Sequence, residues 1–225
     1  MKILGIDNGL DGGLICVDFE LRVIGRLVMP TIDIMRNNHA RRDYDLEMLA
    51  QALRSWQPDY VYLEEAQAMA RPGATGGSVQ SFATGAGFGI MRGLLHGRGW
   101  VEGKTIFRVF PQVWQKEMFA GLDLRRASDG KRDTKLASVQ VAAELFPTVD
   151  WRASVRCKMP HSGLTDAACI ASYGLKHYAV DRLLGLCQNN PTIDQQEVYL
   201  ELFRALDENA NVLATGILPA SRRES

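Results

Sequence analysis

The chain has 225 residues, 46% of them hydrophobic, and its 26 Lys+Arg balance 26 Asp+Glu. That is enough apolar material for one large domain, or for one domain with an appendage. No apolar run approaches the roughly 20 residues of a membrane span, and the N-terminus lacks the basic-then-apolar pattern of a secretory signal, so a cytosol-like compartment is expected.

In chain order, Ile3 to Ile6, Leu14 to Val17 and Val23 to Val28 read as three strands separated by turn residues, a β-meander. Asn8-Gly9 and Asp11-Gly12-Gly13 supply tight connections that a ligand or a second backbone can approach closely. Asp7 ends the first apolar run at the mouth of the sheet; taken alone, it is equally an ordinary turn residue. Leu46, Leu49, Leu53 and Trp56 form a helical stripe closed by Pro58. Tyr60 to Leu63 is a short strand that again ends in acid, at Glu64 and Glu65. If the pleat continues, the two point to opposite faces, and Glu64 is the site candidate.

Beyond the loop ARPGATGG, a Gly-rich helix is expected over 78–99, then a strand in TIFRVF, a helix started by Pro111, a longer helix closed by Pro147, and a small-residue helix over 163–179. Asp166 stands near the start of that last helix, where Asp is also common capping chemistry. The four cysteines, Cys16, Cys157, Cys169 and Cys187, show no C-x-x-C pairing, which favours reduced structural thiols. The neutral total hides a basic middle, since residues 104–160 hold 11 basic and 6 acidic side chains. Arg125, Arg126, Lys131, Arg132 and Lys135 crowd one loop-like stretch there, suited to phosphates or to plain solvation.

The expected fold class is α/β, a mixed central sheet opening with the meander and flanked by helices. Should the Glu64 strand lie beside the Asp7 strand and the last helix cross that edge, three carboxylates converge; hard oxygen ligands of that kind select Mg²⁺ or Mn²⁺.

The order of Asp7 in GIDNGLDGG, Glu64 in VYLEEAQ, the helix GAGFGIMRG, the segment PQVWQK and the run KMPHSGLTDAACIASYG resembles the RuvC-type Holliday-junction resolvases of the ribonuclease H-like fold. Within that family it looks most like the chloroplast and phage branch. The likeness spans residues 1–178 and departs at one place, where the gap from His161 to Asp166 is a residue longer than the family pattern. It implies a nuclease domain over 1–178 that nicks four-way DNA junctions symmetrically by phosphodiester hydrolysis. Two Mg²⁺ or Mn²⁺ ions would be held by Asp7, Glu64 and Asp166, and His161 would join the catalytic set. Lys116, Arg125, Arg126, Lys131, Arg132, Lys135 and Lys158 would face branched DNA. A homodimer is implied as well, because a two-fold pseudosymmetric junction needs two copies of one site. Phe82, Phe88, Ile90, Met91 and Leu94 on helix 78–96 are its candidate face, with packing onto the sheet as the alternative. The compartment would be the cytoplasm of a bacterial or phage-infected cell, or an organelle of bacterial descent.

Two other readings start from the same residues. GIDNGLDGGLICVD also resembles the first phosphate loop of actin-like sugar kinases and chaperone ATPases, although no second Asp-Gly phosphate loop follows. The third is a branched-DNA-binding protein without turnover. Residues 179–225 lie outside the likeness; they read as a helical extension with Val198, Leu202, Ala205 and Leu206 on one side and a disordered tail.

Overall fold

The structure, a computed structural model, describes residues 1–36, 38–65, 77–126 and 128–189, without the side chains of 36, 77–84 and 179–189. The three predicted meander strands are β1 (Lys2–Asp7), β2 (Gly13–Asp18) and β3 (Val23–Val28). Next come a hairpin of β4 (Thr31–Arg36) and β5 (His39–Tyr44), helix α1 (Leu46–Trp56) and strand β6 (Tyr60–Glu64). Helix α2 (Gly77–Gly97), strand β7 (Ile106–Val109), and helices α3 (Pro111–Met118), α4 (Thr134–Leu145) and α5 (Ser162–Asn189) complete the chain order.

The main sheet has the order β3-β2-β1-β6-β7. β2 runs antiparallel to both its neighbours, whereas β1, β6 and β7 are parallel. This is the α/β arrangement expected from the sequence, a mixed central sheet that opens with the meander and is flanked by helices. Helices cover both faces, which is why all six β2 residues are buried and why its apolar run is continuous instead of alternating. Ile3, Ile15, Val17 and Tyr62 face α3, α4 and α5, while Leu4, Ile6, Leu14, Cys16 and Leu63 face α1 and α2 through Leu49, Leu53, Met91 and Leu95.

Local chemistry fixes the helix ends. Asp45 caps α1 by accepting from the Met48 amide at 2.9 Å, and Asp133 caps α4 by accepting from the Leu136 amide at 3.0 Å. Pro111 opens α3, where its missing N–H is no loss.

Helix α5 lies backbone to backbone on β1: a Cβ on Gly5 would run into Ala167 O and Ala171 N, and one on Gly13 would come within 2.9 Å of Gly163 O. The helix continues through residue 178, so the expected domain boundary falls inside it, and of the expected extension and tail over 179–225, residues 190–225 lie outside the described residues. The β4–β5 hairpin was not expected. Cys16 and Cys169 are buried free thiols and Cys157 a half-buried one. None of the described helices is long and apolar enough to cross a membrane.

Candidate active site

Strands β1 and β6 pair in parallel with Ile6 opposite Leu63, so the next residues along, Asp7 and Glu64, emerge side by side at the carboxyl edge of the sheet. Ile6 and Leu63 point into the α1 and α2 face, and pleat alternation turns Asp7 and Glu64 toward α5. Glu65 then falls on the other side, where its carboxylate meets the Arg108 guanidinium at 3.3 Å. The third acid comes from α5. Gly163 packs so closely on the β1–β2 turn that a Cβ there would sit 2.5 Å from Asp11 O and from the Gly12 backbone. That contact brings the first turn of α5, and Asp166 less than one turn later, against the strand end carrying Asp7.

The three acids sense one another. Burial pushes Asp7 up to about 6; the Gly9 amide, 3.3 Å from its Oδ1, opposes this, and the charge of Asp11 adds to it. Burial, then the charges of Asp7 and Asp166, push Glu64 up to about 8 against the Trp114 indole N–H, which donates to Oε1 at 3.0 Å. Asp166 rises to about 7, mainly through burial and then through Asp7, with the Ser138 hydroxyl and the Lys135 charge pulling the other way. Three carboxylates held in a desolvated edge with so few donors form an excess of negative charge that a cation would relieve. Among the described residues no three His, Cys, Asp or Glu side chains already stand close enough together to hold an ion, so the acids share a field without forming a closed shell. As a donor set of carboxylate oxygens they fit a hard divalent cation.

His161 precedes α5. Its amide donates to Trp151 O at 2.7 Å, and its carbonyl accepts from the Leu164 and Thr165 amides of the first helical turn. Burial lowers the ring pKa, the opposing charge it senses is that of Asp11, and Nδ1 is buried without a hydrogen-bond partner among the described residues.

The predicted DNA-facing cations divide by what they touch. Arg125 pairs with Asp123 at 2.9 Å and Arg126 with Asp129 at 2.8 Å. Arg132 donates to the carbonyls of Phe119 and Leu122 and stacks over the Phe119 ring at 5.6 Å, so it fastens the end of α3 to the start of α4. Lys116, Lys131, Lys135 and Lys158 are exposed, and Lys135 is the cation whose charge reaches Asp166.

Three contributors escaped the sequence reading. Trp114 was visible only as one residue of PQVWQK, with nothing to say that its N–H reaches Glu64. Tyr44 donates its hydroxyl to Asn8 O at 2.7 Å and feels the charge of Asp7, and Arg42 meets Asp11 at 2.8 Å; both come from the hairpin.

No protein-family model and no curated protein matches the sequence. Among solved structures, the Thermus thermophilus RuvC in complex with Holliday junction substrate is 16% identical, with 76% of this chain and 90% of that chain covered at a TM-score of 0.46. A second Thermus thermophilus RuvC structure is 16% identical, covering 79% and 96% at a TM-score of 0.45.

Proposed function

We propose that this chain is a metal-dependent endonuclease that nicks four-way DNA junctions by phosphodiester hydrolysis, of the chloroplast and phage branch of RuvC-type resolvases, with residues 1–178 as the nuclease domain. The observation that carries the proposal is the trio Asp7, Glu64 and Asp166, gathered from two parallel strand ends and a helix and pushed up to about 6, 8 and 7 by burial and mutual repulsion. Asp7, Glu64 and Asp166 would hold two Mg²⁺ or Mn²⁺ ions, which supply Lewis acidity toward the phosphate and a more acidic bound water.

The chain's own residues do the rest. The Trp114 N–H ties down one oxygen of Glu64 and leaves the other to act. Exposed Lys135, beside Asp166, offers a cation to a phosphate oxygen. His161, held neutral by burial, serves as a proton carrier or water-orienting group at the entrance to the site.

The outer face of α2 supports a homodimer. Gly85, Gly89, Gly93 and Gly97 recur at helical spacing with open space where each Cβ would be. Each interior helix glycine costs about 0.5–1 kcal/mol relative to alanine, so Gly85, Gly89 and Gly93, which meet no steric need among the described residues, support close approach by a second copy. Phe88, Ile90 and Leu94, half-buried, flank this face, whereas Met91 is fully buried under it and belongs to the chain's own core. Leucine at Gly89 and Gly93 should leave a folded monomer; a dimer of unchanged sedimentation would remove α2 as the interface.

The deciding experiment incubates the protein with a synthetic four-way junction and a matched linear duplex, in Mg²⁺ or in chelator. Paired nicks confined to the junction and to Mg²⁺ are expected. Equal cutting of the linear duplex would sink the junction assignment, and no cutting under any divalent ion would leave a binding protein.

A further inference from the structure

Between α4 and α5 the chain forms a small, firmly based loop that the nuclease chemistry does not use. Its base is closed by a bridge between Arg152 and Pro160 and by the His161 amide on Trp151 O. Trp151 anchors it in the core, packed edge-on against Phe146, and Arg26 of β3 donates to Arg152 O at 3.2 Å. A turn closes the far end, with the Cys157 amide on Ser154 O at 3.0 Å.

On this base stand two large apolar side chains that the described residues leave largely uncovered: Val155 is 84% exposed and Met159 74%, the most exposed large hydrophobics among the described residues, with only Met35, at 72%, coming close. Single exposed apolar side chains are ordinary, but two on one short loop beside cations suit a partner that offers apolar faces and negative charge together. They bracket two cations, in the order Val155, Arg156, Cys157, Lys158, Met159. Among the described residues neither Arg156 nor Lys158 forms an ion pair, whereas the neighbouring Arg152 is tied to Asp150 at 2.8 Å. The loop leads directly into His161 and the α5 turn that sets Asp166, so whatever it touches lies next to the site.

We propose that residues 152–160 are a wedge for the open base step at a DNA branch point, with Val155 and Met159 stacking against the exposed bases and Arg156 and Lys158 holding the flanking phosphates. Apolar side chains that enter a base step unstack it, and the step is easiest to open where pairing is already interrupted. The two cations between them can meet the phosphates that flank such a step. The wedge rests on the nuclease proposal, and it adds to it a source of preference for branched over continuous duplex.

The test uses a four-way junction with 2-aminopurine at the branch point and the full chain carrying Asp7→Asn, so that no strand is cut. Saturating protein should raise the 2-aminopurine emission roughly threefold as the base unstacks. Val155→Ser with Met159→Ser should abolish most of that rise while the thermal melt stays unchanged, since neither side chain is packed; Met159→Gln alone should give part of the effect. Arg156→Ala with Lys158→Ala should keep the rise at saturation but reduce the slope of log affinity against log salt by about two. If the parent chain cuts the junction yet the serine variant keeps the full rise, the wedge is overturned and the nuclease proposal stands. A serine variant that loses the dimer and keeps the rise would make the loop a protein contact, again overturning the wedge. If the parent neither binds nor cuts the junction, both fall together.

Discussion

Glu64→Gln isolates the cost of a charged carboxylate at this buried edge. In the folded chain Glu64 is pushed from its ordinary 4.5 up to about 8, by burial first and then by Asp7 and Asp166. Between those two values the folded state keeps a proton that the unfolded state has released, so stability falls as pH rises through the window. At about 1.36 kcal/mol per pH unit the interval from 4.5 to about 8 sets a ceiling of about 5 kcal/mol, and because Asp7 and Asp166 share the same protons roughly half of that belongs to Glu64 alone. Glutamine cannot ionise and still presents an oxygen to the Trp114 N–H. The variant, freed of metal by chelator, should therefore gain about 2–3 kcal/mol at pH 9, or about 4–12 °C in Tm for a chain of this size, and nothing at pH 4. Circular-dichroism melts of both proteins across pH 4–9 in chelator make the comparison. Mg²⁺ at pH 8 should then raise the Tm of the parent and do little for the variant. A Tm difference that does not change with pH, or a variant less stable than the parent at pH 9, would refute the idea that burial and the neighbouring acids disfavour the charged form of Glu64.

Asp7→Asn should keep the fold and the junction affinity while losing most of the nicking rate; near-parental turnover in a gel assay would remove Asp7 from the catalytic set. Gly163→Ala places a Cβ 2.5 Å from Asp11 O and the Gly12 backbone, atoms that cannot rotate away, and should cost about 3 kcal/mol or more by denaturant midpoint. An unchanged midpoint would mean that α5 is not seated on the turn as described. His161→Ala should slow nicking by roughly 10²-fold with binding intact, in the range for a positioned proton carrier; rates equal to the parent across pH 5.5–9 would leave His161 as the residue that closes the loop onto α5.

Much of the fold was legible because its strands are apolar runs cut by unmistakable turns, and because its helices carry proline signals: Pro111 at a start, Pro58 and Pro147 beyond ends. The hairpin was not. Its second strand, HARRDY, has no apolar alternation, and what holds it is backbone pairing with β4, the Tyr44 hydroxyl on Asn8 O with its ring against Gly87, and the Arg42 pair with Asp11. Pattern reading sees side-chain periodicity, and this element has almost none. In the site, the choice of Glu64 over Glu65 followed from the pleat, which the structure reproduces with Arg108 beside Glu65. Trp114 was hidden because an indole in a helix looks like core, which it also is: the ring is fully buried while its N–H reaches the acid. The basic loop was legible as charge alone. Asp123 and Asp129 within the same stretch already match Arg125 and Arg126, so part of its excess is satisfied internally.

The glycines and alanines explain how three repelling acids stay together. Repulsion could be relieved if α5 moved away from β1, but Gly5 against Ala167 and Ala171, and Gly13 against Gly163, put backbone on backbone with no side chain between to compress or rotate. Moving the helix would also open the cluster around Ile3, Ile15, Ala168, Cys169 and Ile170, all fully buried. Separating two such surfaces forfeits dispersion and burial along several turns at once, at about 25 cal/mol per Å² of apolar area exposed. The acids respond instead by taking up protons, which is what their raised pKa values record. Small residues near the start of a helix thus act as determinants of the site as much as the carboxylates do, since they turn a repulsion that would otherwise spread the structure into a fixed demand for positive charge at one edge of the sheet.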